Sequence, residues 1–384
     1  MNLHKYSLVD NPFTLIPNNA DDNLPWAGFK SNKNSLDKIF KEMISNDETK
    51  LILNLSRWGG GKTHATFFYT RKKYLIDLGA EPDNVPYCIL VTTPREGKNA
   101  TNTFYKKVID EISISNISKC INNMRSDKGD DNSYNYLIKW SKNEDIGKIL
   151  WLMGDGDPDT SFNASELLFN KPTAKLRRDL KVRRGVDDDT DKFNVISAIL
   201  KLLSSYSPEG KREITRRVIL WIDEFESLVY YSTKHYRPFT QALRELIDNT
   251  PKNLSLLINF SFADPDDMQT LEFLIGSALL DRVNDQVIFE EANIDTALEY
   301  VGELLSFFRK DDFESDNRYY PFTEQSLVDL LELATKQTGK PLMPRTINKW
   351  CVKAIELAEK NDPETEKIDS TILKDLSFVD EAFE

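Results

Sequence analysis

The residue types with the clearest chemistry are a lysine and a threonine that directly follow three glycines, at Gly59–Thr63. A short apolar run, Leu51–Leu55, precedes this loop, and residues that can start a helix follow it from His64. A strand, a glycine-rich loop and a helix in this order are typical of a phosphate-binding P-loop, whose backbone amides wrap the phosphates. Glycine suits that role because a Cβ would obstruct the approach. Lys62 would reach the β- and γ-phosphates, and the Thr63 hydroxyl would coordinate Mg²⁺.

One position departs from the P-loop pattern G-x-x-x-x-G-K-[ST], because Ser56 stands where the pattern has its first glycine. Serine is compatible with this bend if its φ angle stays negative. The N-terminus of the following helix adds a partial positive charge that favours phosphate. The alternative is a tight strand-to-helix turn that happens to end in Gly-Lys-Thr. The predicted nucleotide-binding residues of the loop are Ser56, Trp58, Gly59, Gly60, Gly61, Lys62, Thr63 and His64.

Two acidic residues end a second apolar run, Val218–Ile222, at Asp223 and Glu224. A buried strand that finishes in carboxylates is costly unless the carboxylates bind a cation. In a P-loop protein the aspartate would bind Mg²⁺, and the glutamate beside it would orient the attacking water. The alternative is an ordinary strand that ends at an acidic turn. Together with the lysine and threonine of the loop, these acids predict an ATP-hydrolysing site.

A third apolar run, Leu254–Phe262, contains two polar residues with the spacing of one strand face, Asn259 and Ser261. Either residue would be well placed to reach the γ-phosphate or the lytic water. Arg282 and a short strand that ends at Glu290 follow. The sequence therefore predicts several strands whose ends carry the polar chemistry.

The chain has 384 residues, a formal net charge of −12 and three scattered cysteines. This length predicts two or three domains. The acidic balance argues against a molecule-wide basic surface for nucleic acid, although a local patch is compatible with it. The odd number of cysteines gives no disulfide framework, and no Cys/His spacing resembles a zinc site. No apolar run approaches membrane-spanning length, so we expect a cytoplasmic protein without a membrane partner.

The segments on either side of the predicted core have distinct patterns. Residues 1–50 form an N-terminal arm in which Phe13, Trp26 or Phe29 would cover an adenine, or would simply pack. Residues 292–362 carry three apolar stripes of helical spacing, which predict a helical lid. Its last helix begins at Pro344, and Arg345 in that first turn opposes the helix dipole. Arg345 would therefore face an anion, unless it is an ordinary surface arginine. An acidic tail, 363–384, follows the lid.

Residues 121–190 are polar and lack clear periodicity, which indicates an insertion or a poorly ordered subdomain within a core at 51–291. Gly154–Asp159 superficially resembles a calcium loop but lacks the downstream glutamate, so a solvated turn is favoured. A basic run begins at Lys171 in this acidic chain, and it would either neutralise DNA phosphates or form a solvated face balanced by nearby acids. Its candidate nucleic-acid contacts are Lys175, Arg177, Arg178, Lys181, Arg183 and Arg184.

On these motifs the chain resembles the AAA+ ATPases, in the branch of origin-recognition initiators and of transposition- and secretion-associated ATPases. The resemblance covers about residues 8–360 apart from 121–190. In that family an Asn-Pro-Phe opening such as Asn11–Phe13 precedes the nucleotide site. Ser56–Thr63 resembles Walker A, and Ile222–Glu226 resembles Walker B, which implies that Glu224 is the catalytic base.

The resemblance also implies roles for three further positions. Ser261, or else Asn259, falls at sensor 1, and Arg345 falls at sensor 2 of the lid. Arg282 falls where the family carries the arginine finger that is offered to the neighbouring subunit. The implied catalytic residues are Glu224, Lys62, Arg282, Ser261 and Asn259, and the implied Mg²⁺ ligands are Thr63 and Asp223.

The implied fold is an α/β P-loop core, with a five-stranded parallel sheet and helices on both faces, plus a C-terminal helical lid. ATP with Mg²⁺ would bind between core and lid, and the arginine supplied in trans implies self-association as a ring, filament or dimer. The first functional hypothesis is an ATPase that acts on or near DNA in replication, transposition or defence against foreign DNA. The alternative is a nucleotide-gated switch or scaffold that recruits a protein effector. The net acidity, and the lack of an evident winged-helix pattern after the lid, favour the alternative.

Overall fold

A five-stranded parallel sheet with the strand order β2-β3-β4-β1-β5 is the central element of the fold. The computed structural model describes residues 3–16, 25–94, 99–170, 173–210, 212–231, 233–250, 252–262 and 268–376. The strands are β1 Lys50–Arg57, β2 Tyr87–Thr92, β3 Val218–Asp223, β4 Leu254–Phe262 and β5 Val283–Ile288. The predicted α/β core with a five-stranded parallel sheet is confirmed.

The register of the sheet aligns the polar ends of its strands. Strand β3 is buried along its whole length and pairs Thr92 of β2 with Asp223, while Ile222 pairs with Ile258 of β4. Asp223 is therefore level with Asn259, the next residue of β4. Because the carboxyl ends of parallel strands lie at one edge of a sheet, the residues that end β3 and β4 meet there.

Helices occupy most of the rest of the described chain. The first half contains α1 Lys30–Ser45, α2 Lys62–Tyr69, α3 Lys72–Asp77, α4 Ala100–Ile112, α5 Ile114–Lys128, α6 Asp130–Ser141, α7 Glu144–Met153, α8 Pro158–Phe169 and α9 Ala174–Asp179. The second half contains α10 Asp189–Ser205, α11 Thr233–Asn249, α12 Met268–Ile275, α13 Ser277–Leu280, α14 Ile294–Phe307, α15 Glu324–Thr338 and α16 Pro344–Asn361. Short 3-10 helices lie at Leu3–Tyr6, Phe225–Tyr230 and Ile372–Asp375.

The chain divides into two compact units. The lid unit comprises residues 1–36, 56–71 and 288–384, and the sheet unit comprises residues 37–55 and 72–287. The P-loop and α2 thus group with the N-terminal and C-terminal segments, whereas the predicted boundaries fall at residues 50, 291 and 362. Each unit has its own apolar core. The predicted division into arm, core, lid and tail stays a prediction.

The sheet unit is fixed at the start of its strands by a buried arginine. Arg217, immediately before β3, is 5% exposed and donates to the carbonyls of Asn46, Glu48 and Leu254 at 2.5, 3.0 and 3.1 Å. Burial lowers the pKa of this guanidinium to about 10, which still leaves it charged at neutral pH. A charged donor with several carbonyl acceptors joins the beginning of β3 to β4 and to the segment before β1.

Residues 121–190, which we predicted to be an insertion or a poorly ordered subdomain, are well structured where the structure describes them. They are helical from α5 to α9 over most of their length, and Ile121, Met124 and Ile149 lie fully or almost fully buried in the sheet unit's core. Asp157, in the predicted solvated turn, caps α8 by accepting from the Thr160 backbone N–H at 2.9 Å. The buried residues of α7 do have helical spacing, at Ile146, Ile149, Leu150 and Met153, but the many polar residues of the segment obscured this pattern. A poorly ordered subdomain is therefore wrong for the described residues, while an insertion stays a prediction.

The lid unit is built on α14, α15 and α16. The three predicted apolar stripes lie on these helices, with Val301, Leu331 and Trp350 fully buried in a common core. Phe13 of the N-terminal arm is also fully buried there, with its ring edge-on to Phe322 at 6.3 Å between centroids. A helical C-terminal region is thus confirmed. None of the helices in the described ranges is long and apolar enough to cross a membrane.

Candidate functional site

The backbone of the P-loop needs glycine at each of its three consecutive positions. Gly59 and Gly61 have φ angles of 81° and 91°, a region that side chains other than glycine rarely adopt. A Cβ on Gly60 would lie 2.7 Å from the Cβ of Ser56. Gly61 is the N-cap of α2, where no side chain caps the helix. The loop thus leads into an uncapped helix N-terminus, which is the arrangement that binds phosphate.

The P-loop lysine is held inside the loop by the serine that departs from the motif. Lys62 is 6% exposed, and its ammonium donates to the Ser56 Oγ at 2.5 Å. The same hydroxyl donates to the Arg57 carbonyl at 2.6 Å. Because a buried ammonium needs acceptors, the Ser56 hydroxyl helps to keep Lys62 in the loop. The negative φ required of Ser56 is satisfied, since it is not among the residues of positive φ.

The first turn of α16 touches the P-loop within the lid unit. The Arg345 backbone N–H donates to the Gly59 carbonyl at 3.3 Å, and a Cβ on Gly59 would lie 2.9 Å from the Cβ of Arg345. The Arg345 side chain is exposed and forms no hydrogen bond or ion pair with the part of the chain that the structure describes. The structure therefore brings the predicted arginine beside the predicted phosphate loop. Its contact with an anion stays a prediction.

Aromatic side chains cover the P-loop helix. The Trp26 ring lies 5.9, 5.3 and 5.8 Å from the rings of His64, Phe68 and Tyr69. Burial lowers the pKa of His64 to about 4, against a smaller upward effect of its hydrogen bond to the Pro25 carbonyl. His64 is therefore neutral at pH 7 and adds no positive charge to the loop.

The other aromatic candidates lie elsewhere in the lid unit. Phe29 packs edge-on to Tyr300 at 5.6 Å, and Phe13 is fully buried in the core, so its ring presents no face to an adenine. For Phe13 the structure thus supports the packing alternative. Trp58 in the loop is 61% exposed. Of the three aromatic residues proposed to cover the adenine, Trp26 is the one whose ring packs against the helix α2 that follows the P-loop.

A buried carboxylate at the end of β3, that of Asp223, accepts from one backbone N–H and from one side-chain amide. Asp223 is 7% exposed, and its Oδ1 accepts from the Glu224 backbone N–H at 2.9 Å and from the Asn259 Nδ2 at 3.0 Å. Glu224 itself has φ 57° and ψ 41°, a left-handed conformation that is strained for a residue with a Cβ. Strain of this kind persists where surrounding structure fixes it, and it is common at functional sites.

The structure distinguishes the two polar candidates of β4. Asn259 is fully buried and contacts Asp223, whereas the Ser261 backbone N–H donates to Glu226 Oε2 at 3.0 Å. Two residues that the sequence analysis did not identify also form hydrogen bonds with the Asn259 side chain. The Nδ2 of Asn54 and the Nε1 of Trp221 both donate to Asn259 Oδ1, at 2.9 and 2.8 Å. The signal available in the sequence was a lone asparagine in the apolar run of β1.

Arg282 is bound within its own unit. Its guanidinium donates to the two carboxylate oxygens of Asp248 at 2.7 and 2.8 Å, and to the Ala278 carbonyl at 2.5 Å. These hydrogen bonds hold the pKa of Asp248 below its ordinary value. The Arg282 side chain is 31% exposed.

The basic run divides into paired and exposed cations. Arg177 and Arg184 form ion pairs with Asp187 and Asp191, as the alternative of a balanced face predicts. Lys171, where the run begins, lies outside the described residues. The remaining cations are exposed and form no ion pair within the described chain: Lys175, Arg178, Lys181 and Arg183.

The predicted site residues therefore fall into two groups. Ser56 to His64 and Arg345 belong to the lid unit, where they are in contact through Gly59. Asp223, Glu224, Asn259 and Arg282 belong to the sheet unit, where the first three are joined by hydrogen bonds and Arg282 pairs separately with Asp248.

Neither a protein-family model nor a curated protein sequence matches the chain. Among solved structures, the Aeropyrum pernix ORC2 protein in ADPNP–ADP complexes is 9% identical, with a TM-score of 0.51 over 96% of this chain and 70% of that chain. The Aeropyrum pernix ORC1 protein in complex with DNA is 12% identical, with a TM-score of 0.49 over 95% and 68%. CDC6P from Pyrobaculum aerophilum is 13% identical, with a TM-score of 0.47 over 94% and 68%. The similarity to ORC2 shows a common fold and, at that level, confirms the resemblance to the origin-recognition branch.

The lowered pKa of His64 predicts a pH dependence of stability. Since the folded pKa of about 4 lies below the ordinary value of 6.5, unfolding takes up a proton between these pH values. The free energy of unfolding should therefore fall as pH drops from 6.5 to 4, by about 2–3 kcal/mol from this group. We expect His64→Phe to lose this contribution. Thermal unfolding of both proteins across that range measures it, and parallel pH profiles would contradict it.

Proposed function

We propose that this chain binds ATP with Mg²⁺ and hydrolyses it as an AAA+ ATPase. The single observation that carries the proposal is the P-loop: three glycines at positions that exclude side chains, a buried lysine and an uncapped helix N-terminus. A triphosphate would take the place that backbone amides and the Lys62 ammonium offer to an anion. The fold is that of the ORC2 protein, which was solved with ADPNP and ADP.

The donor set of the chain fits a magnesium ion. Hard oxygen ligands suit Mg²⁺, and Thr63 offers a hydroxyl while Asp223 offers a carboxylate. The two N–H donors on Asp223 Oδ1, from the Glu224 backbone and the Asn259 side chain, hold that carboxylate in one orientation. When bound, Mg²⁺ would neutralise charge that develops on the phosphates. Lys62 would position the β- and γ-phosphates, Arg345 would face them, and Glu224 would orient the attacking water.

Substitutions at Lys62 and Glu224 distinguish ATP binding from ATP hydrolysis. We expect Lys62→Ala to weaken ATP binding about 10- to 100-fold, because a charge-assisted hydrogen bond is worth about 1.5–3 kcal/mol. Glu224→Gln should keep the affinity and lower kcat by about 10²–10⁴-fold through loss of the water-orienting base. Titration with a fluorescent ATP analogue and a phosphate-release assay measure the two effects.

Lys72→Ala and Glu245→Gln are matched controls. Lys72 is exposed, and the Glu245 carboxylate accepts from Gln241 on the surface of the same helix. Both variants should behave as the wild type. Wild-type affinity and turnover in both Lys62→Ala and Glu224→Gln would refute the proposed function.

The proposal includes self-association with Arg282 acting in trans. An arginine supplied by a neighbour can raise phosphoryl-transfer rates by about 10³–10⁵-fold, so hydrolysis would depend on assembly. In the chain by itself Arg282 is held by Asp248. Assembly would then have to share or displace this ion pair, which keeps the arginine pre-oriented until a neighbour binds.

A mixing experiment tests the trans role. Arg282→Ala should bind ATP normally and turn over slowly, and Lys62→Ala should not turn over. A mixture of the two should regain activity, because one variant keeps the nucleotide site and the other keeps the arginine. Phosphate release is measured against protein concentration, with exposed Arg212→Ala as the control. A mixture no more active than its components, with wild-type turnover in Arg282→Ala, would exclude the role.

The exposed part of the basic run supports DNA as the partner. Lys175, Arg178 and Arg183 have no ion pair within the described residues, so their charge is available to phosphates. We expect duplex DNA to bind in a salt-dependent and sequence-tolerant way, more tightly with ATP. Each phosphate contact contributes about −0.9 to the slope of log K against log [salt].

Charge reversal tests this surface. Glu at Lys175, Arg178, Lys181 and Arg183 together should abolish binding at low salt, measured by fluorescence anisotropy with labelled duplex. Reversal of exposed Lys72 and Lys73 serves as the control. If wild-type protein fails to bind DNA at low salt, the DNA proposal fails. The net charge of −12 would then favour the nucleotide-gated switch, in which ATP orders an assembly that recruits a protein effector.

A further inference from the structure

We infer that Trp221 and Asn54 are positioning residues for hydrolysis, which act by fixing the side chain of Asn259 against the carboxylate of Asp223. The inference rests on the proposed function and assigns roles to two residues outside the predicted nucleotide and metal contacts. All three residues, Asn54, Trp221 and Asn259, have no exposed surface. The contacts form a row across three adjacent strands, from β1 through β4 to β3.

The chemistry of its neighbours fixes the orientation of the Asn259 amide. The indole N–H of Trp221 can only donate, so the atom that faces it at 2.8 Å must be the amide oxygen. Because the oxygen is fixed on that side, the atom that faces Asp223 Oδ1 at 3.0 Å is the amide nitrogen. A flipped amide would place its NH₂ group against the donors of Trp221 and Asn54, and its oxygen against the carboxylate of Asp223. Asn259 thus has one orientation between these neighbours, and in it the amide donates to Asp223.

Asn54 adds a second donor to the same amide oxygen. Its Nδ2 lies 2.9 Å from Asn259 Oδ1, while its own Oδ1 is buried without a hydrogen-bond partner among the described residues. A buried, unpaired amide oxygen is unfavourable for stability. Leucine would have nearly the same volume and would remove this cost from an otherwise apolar strand. Asparagine at position 54 therefore adds little to the stability of the fold. Its effect is on the orientation of the Asn259 amide.

Trp221 is also held in place itself. It lies two residues before Asp223 on the same face of β3, and its ring packs against Phe40 at 5.8 Å between centroids. The indole N–H is therefore pre-oriented before any ligand binds. Through Asn259, this rigid donor constrains Asp223 Oδ1, which also receives the Glu224 backbone N–H. The consequence is a fixed carboxylate beside the residue that orients the water.

The variants Trp221→Phe and Asn54→Leu test this arrangement. Each removes one hydrogen bond to Asn259 Oδ1, and loss of about one such bond in the transition state corresponds to about a 5-fold lower kcat. We expect the Kd for ATP without Mg²⁺ to be unchanged, and the gain in affinity on adding Mg²⁺ to shrink, since Asp223 is less well fixed. The unfolding temperature of Asn54→Leu should equal or exceed that of the wild type. Trp140→Phe, in the same unit, is the control for loss of an indole.

A double-mutant cycle with Asn259→Leu distinguishes positioning from packing. If Trp221 and Asn54 act through the Asn259 amide, neither substitution should lower kcat further in the Asn259→Leu background. Equal losses in both backgrounds would mean that they act through packing and would overturn the inference. Wild-type kcat and Mg²⁺ dependence in both single variants would also overturn it. Wild-type protein that neither binds nor hydrolyses ATP would instead refute the proposed function, and this result comes from the wild type alone.

Discussion

The burial of a carboxylate at the end of an apolar strand is the constraint on which the sheet unit depends. Asp223 is almost completely removed from water, and an ionised group in such a place needs donors or a cation. The structure supplies two N–H donors on one oxygen, from the Glu224 backbone and the Asn259 side chain. The first donor is the backbone N–H of Glu224, a residue in the left-handed conformation. The second is the side-chain amide of the fully buried Asn259. The left-handed backbone at Glu224 and the polar row inside the sheet both bring donors to this one buried carboxylate.

The lid unit contains a buried cationic side chain, that of Lys62. Lys62 is buried in the P-loop, where the Ser56 hydroxyl accepts a hydrogen bond from its ammonium and donates one to the Arg57 carbonyl. Glycine at position 56 would leave the ammonium without this acceptor. The departure from the P-loop pattern is thus compatible with the loop geometry, and it adds a contact that the pattern alone would not supply. The glycines that remain are the ones whose φ angles or neighbours exclude a side chain.

The sequence predicted the elements whose signals are local. Apolar runs with polar ends gave the strands β1, β3 and β4, and helical stripes gave α14 to α16, because periodicity and burial are read within one segment. The pairing of Arg282 with Asp248 and the contact of Arg345 with Gly59 join residues far apart in the chain, so no local pattern could reveal them. The choice between Asn259 and Ser261 stayed open for the same reason. It depended on the register between β3 and β4. Residues 121–190 were misjudged because their many polar residues obscured the helical spacing of the buried ones, which is present in α7.

The likeness to ORC2 leaves function to be argued from side chains. At 9% identity two chains can share a backbone arrangement while few of their side chains coincide, and one fold hosts many activities. What favours nucleotide chemistry here is the coincidence of a buried ammonium in a loop of three glycines and a buried carboxylate at a strand end, the two groups that would bind phosphate and Mg²⁺. DNA binding rests on a different kind of argument. Exposed cations are inexpensive in water. The exposed part of the basic run supports DNA binding because, among the described residues, Asp187 and Asp191 pair with Arg177 and Arg184, and not with Lys175, Arg178 or Arg183.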